Sequence, residues 1–248
     1  MIPFRDDNPT RTAPIITVGL IAANIAVYLY QFTLEPIREQ VFVYTHAAIP
    51  VVLLGQARLE QVLPRQVLLA ASHYGVPITP LQPIWLSVLT AMFLHGGLFH
   101  IGGNMLYLWI FGNNIEDALG HLRFLVFYFV CGLAAAGLQI ALSVGSPIPM
   151  IGASGAIAGV LGAYFVKFPH ARVQTLVFLF FFVTVIWLPA GLLLLLWFLM
   201  QVVDSLGTLG GPARGGGVAF FAHIGGFLAG YLLVRRFEPR RRIRLLGR

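Results

Sequence analysis

The sequence predicts an all-α, polytopic membrane protein, a bundle of six transmembrane helices, and three observations carry that expectation. Hydrophobic residues make up 58% of the 248 residues and charged ones only 10%, with a mean hydropathy of +0.84. A water-soluble domain of this length needs a much larger charged fraction to cover its surface. Six apolar stretches recur along the chain, most of them near the ~17–25 residues that a spanning helix requires. Basic residues then collect where cytoplasmic loops and ends would fall.

The stretches run, in order, about Pro14–Phe32, Leu98–Ala118, Phe124–Ser143, Ser154–Phe168, Val173–Val203 and Val218–Val234. The first follows Arg5, Asp6 and Asp7 directly, so a cleavable signal peptide is not expected. The second carries His and Asn, which are costly in lipid and therefore informative. The fourth is short and starts behind Pro147, Pro149 and Gly152. Its helix is expected to begin partway down, where irregular backbone survives only against protein or a wet cavity. The fifth has no Asp, Glu, Lys, Arg or His from Val173 to Val203, and Pro189 should bend it in the middle. This helix, with the glycine-rich loop Gly210–Gly217, is the expected gate for a laterally entering substrate.

An even number of spans puts both termini on one side. Taking that side as cytoplasmic gives it twelve basic residues, against Arg38, Arg58, Arg65 and Arg214 outside. The expected location is the cell (inner or plasma) membrane, with both ends cytoplasmic. The expected divisions are a cytoplasmic segment 1–13, a transmembrane domain 14–237 and a basic cytoplasmic tail 238–248. A long outer connection spans about 33–97. Within it, Val51–Leu54 and Val67–Ala71 are too short to span and suit helices lying at the interface. The net charge of +7 does not point to nucleic acid: seven of sixteen basic residues lie in the last fourteen positions, as an anchor facing anionic lipid. The lone Cys131 excludes an internal disulfide.

Three clusters place polar groups inside spans. The second span reads His95-Gly-Gly-Leu-Phe-His100-Ile-Gly-Gly-Asn104, with His100 and Asn104 one turn apart on one face. The fourth opens Gly152-Ala-Ser154-Gly155, and the sixth reads Ala222-His223-Ile-Gly-Gly226-Phe-Leu-Ala-Gly230. Taken singly, each has a bland reading. A membrane-helix serine usually bonds its own backbone, and a lone histidine usually bonds a neighbouring helix. Gly155/Gly159 and Gly226/Gly230 change that balance, because small-xxx-small faces let the fourth and sixth helices pack closely. Such packing would bring Ser154 to His223, a nucleophile to its general base. A helix start at Ser154 offers free backbone N–H groups, and His100 and Asn104 offer side-chain donors for an oxyanion. No acidic residue neighbours His223 in sequence, so the expected arrangement is a Ser–His dyad without carboxylate, metal or cofactor. The Gly-x-Ser-x-Gly of soluble hydrolases is absent, since position 156 is Ala.

On these residues the chain resembles the bacterial rhomboid proteases, a family of intramembrane serine peptidases. The likeness rests on His95-x4-His100-x3-Asn104, Gly152-Ala-Ser154-Gly155, and Ala222-His223 with Gly226 and Gly230, in that order. Phe111-Gly-Asn-Asn-Ile-Glu116-Asp-Ala-Leu-Gly120 resembles the segment that ends the family's second helix, and the whole likeness covers about Pro83 to Arg235. It implies Ser154 as nucleophile and His223 as base. It also implies an oxyanion hole of His100, Asn104 and the Ser154 backbone N–H, with His95 in support. Substrates would be transmembrane proteins, met within the lipid bilayer. Two features depart from the family. The outer loop lacks a Trp-Arg pair that many members carry. Four residues after the nucleophile, where some members stack an aromatic on the histidine, stands Ala158, so another residue must orient His223. The alternatives are a non-catalytic rhomboid-like protein that binds membrane segments, which loss of Ser154 or His223 would favour, and a transporter, which would predict inverted repeats that the sequence lacks.

Overall fold

A computed structural model of the chain describes residues 1–179, 182–206 and 219–239. Strand β1 (Ile2–Asp6) leads into helix α1 (Ile15–Thr33). The connection that follows folds into short helices: α2 (Pro36–His46), α3 (Pro50–Leu53), α4 (Leu59–Val62), α5 (Arg65–His73) and α6 (Leu86–Thr90), with a 3-10 turn at Ala91–Phe93. Helices α7 (Leu98–Leu119), α8 (His121–Leu142) and α9 (Ser154–Lys167) follow. Strands β2 (Arg172–Leu179) and β3 (Phe182–Pro189) come next, and helices α10 (Ala190–Leu206) and α11 (Phe220–Phe237) complete the described chain.

Helices stand at the first, second, third, fourth and sixth predicted stretches, each within a few residues of the expected bounds. The fifth is a correction. Arg172–Pro189 is a β-hairpin, and the helix starts only at Ala190. Pro189 therefore does not bend a helix; it ends β3 just ahead of one, a position that suits a residue lacking a backbone donor. The hairpin also corrects the all-α expectation. β1 joins β2 antiparallel, and β2 joins β3, in a three-stranded sheet of order β1-β2-β3. Val173, Thr175 and Val177 are buried at the period of two that a half-covered strand requires. Asp7 and Arg172 lock the sheet's end. Arg172 donates from its backbone N–H and from Nε to the two Asp7 carboxylate oxygens, and Asp7 N–H donates to Arg172 O. Those donors hold the Asp7 carboxyl below the usual carboxylate range. The expected gate loop Gly210–Gly217, and the tail beyond residue 239, lie outside the described residues.

By length and composition α1 and α8 are each able to cross a membrane, and the bent pair α6 plus 3-10 turn and α7, meeting at 92°, makes a third candidate. Helices α9 and α10 are apolar but shorter. At the centre stands α9, in which every residue from Ala156 to Tyr164 is buried. A helix covered on all sides needs an apolar residue at every position, and Ala156–Ala163 supplies one, with glycine wherever a neighbour comes closest. An added Cβ on Gly162 would collide with Phe227 O, and one on Gly226 or Gly230 with Gly155 O or Gly159 O. Backbone thus lies directly on backbone where α9 meets α11. A second, smaller core holds the connection between α1 and α7 together, built on Val41, Leu59, Leu63, Val67, Ala71 and Leu94.

The Gly120 end of α7 ties the sheet and α1 to the bundle. Glu116, fully buried, accepts from Ile16 N and Thr17 N at 2.9 and 2.8 Å, from Thr17 Oγ1 at 2.7 Å and from His121 Nδ1 at 2.6 Å. These are first-turn N–H groups of α1, which have no partner within their own helix. Asp117 takes the backbone N–H groups of Arg11 and Thr12, and Asn114 Nδ2 donates to Asp6 on β1. Gly120, at φ +82° between α7 and α8, makes a reversal that a residue with Cβ resists. The Asn114–Gly120 motif therefore acts as a clamp on the N-terminal segment.

Candidate active site

Ser154 is the first residue of α9, so its backbone N–H and those after it open onto the end of the helix. Behind it Gly152 sits at φ +115° and is anchored by its N–H to Ala91 O at 2.8 Å. A side chain there would be strained, and its Cβ would meet His100 Nε2 at 2.7 Å and Asn104 Nδ2 at 3.5 Å. The glycine thus lets the loop pass directly over two side chains of α7. Gly155, one residue beyond Ser154, has room for a Cβ only if Ala135 on α8 gives way, at 2.7 Å.

His223 comes from the first turn of α11, set opposite α9 by the Gly155/Gly159 and Gly226/Gly230 contact. Its Nε2 lies 2.8 Å from Ser154 Oγ. Its other nitrogen, Nδ1, lies 2.6 Å from Oε1 of Gln201 on α10, a buried residue that the sequence reading missed. Trp197, one turn earlier on α10, tilts against the imidazole at 5.9 Å between ring centroids. The signal for Gln201 was present in the sequence: an amide in an otherwise apolar helix is costly unless it has a partner.

His100 and Asn104 lie on the first turns of α7, as their spacing predicts. Gly96 N–H donates to His100 Nδ1 at 3.3 Å, so the ring's remaining nitrogen, Nε2, carries a hydrogen when the imidazole is neutral. Asn104 is buried, and its Nδ2 has no acceptor among the described residues. His95 stands behind His100, with ring centroids 5.0 Å apart. The Gln31 side chain from α1 grips the His95 backbone at both N–H and C=O, at 3.1 and 3.2 Å. His95 itself does not line the cavity, whereas His100, Asn104, Ser154 and His223 do. That cavity has a volume of about 660 Å³, and Tyr107 and Trp197 supply further wall. The arrangement can take a proton from a hydroxyl and present N–H donors to an oxygen beside it.

A family model described as the Rhomboid domain matches residues 82–238, well over half of the chain. The chain is 30% identical over 151 residues to Rhomboid protein 1, mitochondrial, of Saccharomyces cerevisiae, covering 59% of this chain and 40% of that protein. It is 44% identical over 82 residues to Rhomboid protease GluP of Bacillus subtilis, covering 33% and 16%. RHOMBOID-like protein 6, mitochondrial, of Arabidopsis thaliana is 28% identical over 229 residues, covering 90% of this chain and 61% of that one. The chain thus spans less than two thirds of each of these relatives.

Proposed function

The chain belongs to the rhomboid family of membrane proteins, and we propose that it is an intramembrane serine endopeptidase that cleaves transmembrane segments. The observation that carries this reading is the 2.8 Å approach of Ser154 Oγ to His223 Nε2 at the wall of a cavity that Asn104, with its unengaged Nδ2 donor, also lines. In the proposed mechanism Nε2 accepts the hydroxyl proton as Oγ bonds to the scissile carbonyl carbon. The carbonyl electrons move onto oxygen, and that oxyanion is held by Asn104 Nδ2–H, His100 Nε2–H and the Ser154 backbone N–H. As the C–N bond breaks, the imidazolium returns its proton to the leaving nitrogen. Water then repeats the sequence on the ester, freeing the acid and restoring Oγ–H. Neither cofactor nor metal takes part.

The site's depth follows from helix length. Fourteen residues of α9 rise about 21 Å, short of a hydrocarbon core of ~30 Å, so Ser154 would lie below the outer face. The proposed setting is the cell membrane, with six spans and both termini cytoplasmic; two of the relatives are named for mitochondria, a different membrane. Substrates would be single-span proteins cut near the outer end of the span, where small residues suit a site bounded by Gly152, Ala153 and Gly155. The test is cleavage of such a substrate in proteoliposomes. The parent protein should give one defined cut, and Ser154→Ala none. Equal cleavage by both would contradict the assignment.

A further inference from the structure

Ala158 leaves His223 without an aromatic neighbour on α9, so its orientation must come from another element. That element is α10. Gln201 is 9% exposed, and its Oε1 lies 2.6 Å from His223 Nδ1. An amide oxygen has no hydrogen to give, so in this contact Nδ1 must be the donor. A neutral imidazole with its hydrogen on Nδ1 leaves Nε2 bare, and Nε2 is the atom facing Ser154 Oγ. The opposite tautomer would point N–H at the serine and set an acceptor against an acceptor at Nδ1.

We propose that Gln201 is a positioning residue that fixes the Nδ1–H tautomer and the ring plane of His223, filling without charge the place a carboxylate takes in a serine–histidine–aspartate triad. The role rests on the Ser154–His223 reading, and it gives α10 a part in the chemistry as well as in the bundle. Trp197, four residues earlier on the same helix face, backs the ring from the side, so the two contacts hold the imidazole in plane and in position. A neutral partner also differs from a carboxylate in effect. It orients the ring without favouring an imidazolium in apolar surroundings.

Nitrogen-15 NMR on histidine-labelled protein in detergent, with His223→Ala identifying the signals, reads directly which ring nitrogen bears the hydrogen. The parent should show His223 as the Nδ1–H form. Finding it as the Nε2–H form would overturn the proposal without any variant of Gln201. In Gln201→Met, close in shape but lacking the oxygen, the Nε2–H share should grow and fluorophosphonate labelling of Ser154 should slow at least tenfold with thermal melting unchanged. Gln201→Glu, which keeps an acceptor, should label within about threefold of the parent. A folded Gln201→Met that keeps both the parent tautomer and the parent labelling rate would also overturn it. A parent with the Nδ1–H form that fails to label would instead sink the protease reading alone, which separates the two failures.

Discussion

At the Gly120 end of α7, both carboxylate oxygens of the buried Glu116 are taken up by Ile16 and Thr17 of α1 and by His121, whereas toward the opposite end Asn104 Nδ2 is buried with no partner among the described residues. One helix therefore carries buried polar groups in two conditions. Satisfied groups fasten elements together, and their worth is realised in folding. A buried donor left open costs stability, typically ~1–3 kcal/mol, and such a cost is tolerated where the group serves something other than the fold. In this chain the open donor faces a cavity and the closed network faces other helices. Along α7 the buried polar residues thus separate into a clamp and a candidate site by what each one faces and whether its hydrogen bonds are met.

That contrast is sharpest in mutants that exchange the two currencies. Glu116→Ala would strand the α1 first-turn N–H groups and Thr17 Oγ1 in a buried place. It should lower folding stability by about 3 kcal/mol or more, at ~1–3 kcal/mol for each buried donor left without a partner, while labelling of Ser154 per folded molecule stays near the parent value. Thermal melting and probe labelling on the same detergent sample check both halves. Loss of labelling with unchanged melting would mean that the clamp is not a clamp.

Asn104→Ala should do the reverse. Removing one of three oxyanion donors costs about 3 kcal/mol in the transition state, roughly a hundredfold in turnover, and the melting temperature should hold or rise because an unpaired buried amide is gone. Full turnover in a folded Asn104→Ala would return Asn104 to a structural role.

A smaller effect concerns Asp6, on the sheet beside the clamp. Burial raises its carboxyl above the usual range, partly opposed by hydrogen bonds from Tyr164 OH and Asn114 Nδ2 at 2.6 and 2.8 Å. A raised carboxyl gives its stability below the unfolded-state value of about 3.9 and loses it as pH rises through the folded-state value. Asp6→Asn keeps an acceptor for both donors without the charge. Its melting temperature should equal or exceed the parent's at pH 7, and the gap should close as pH falls toward 4. A gap independent of pH would remove Asp6 ionisation from the account.

The helices were legible because each rests on a local pattern: an apolar run, a glycine or proline boundary, a polar group every turn. The approach of Ser154 to His223 was legible through the glycine pairs, since two backbones can touch only where side chains are missing. The sheet was not. Val173–Pro189 reads as one apolar run, yet it folds back on itself as β2 and β3, and β2 also pairs with Ile2–Asp6, about 170 residues away. Its β-branched and aromatic content was the available cue, with Pro189 as its end point. The role of Glu116 was hidden for the same reason, because its partners lie about 100 residues upstream. Gln201 lies in a span without an ionisable group from Val173 to Val203, where a buried amide raises the same question as a charge.

The proposal that Ser154 is activated by His223 is tested most directly by the rate at which a fluorophosphonate probe labels Ser154 in the parent protein and in His223→Ala, measured beside Ser154→Ala. The account predicts labelling in the parent, none in Ser154→Ala, and a fall of at least a hundredfold in His223→Ala, with native melting in all three. Labelling of a folded His223→Ala at the parent rate would contradict it.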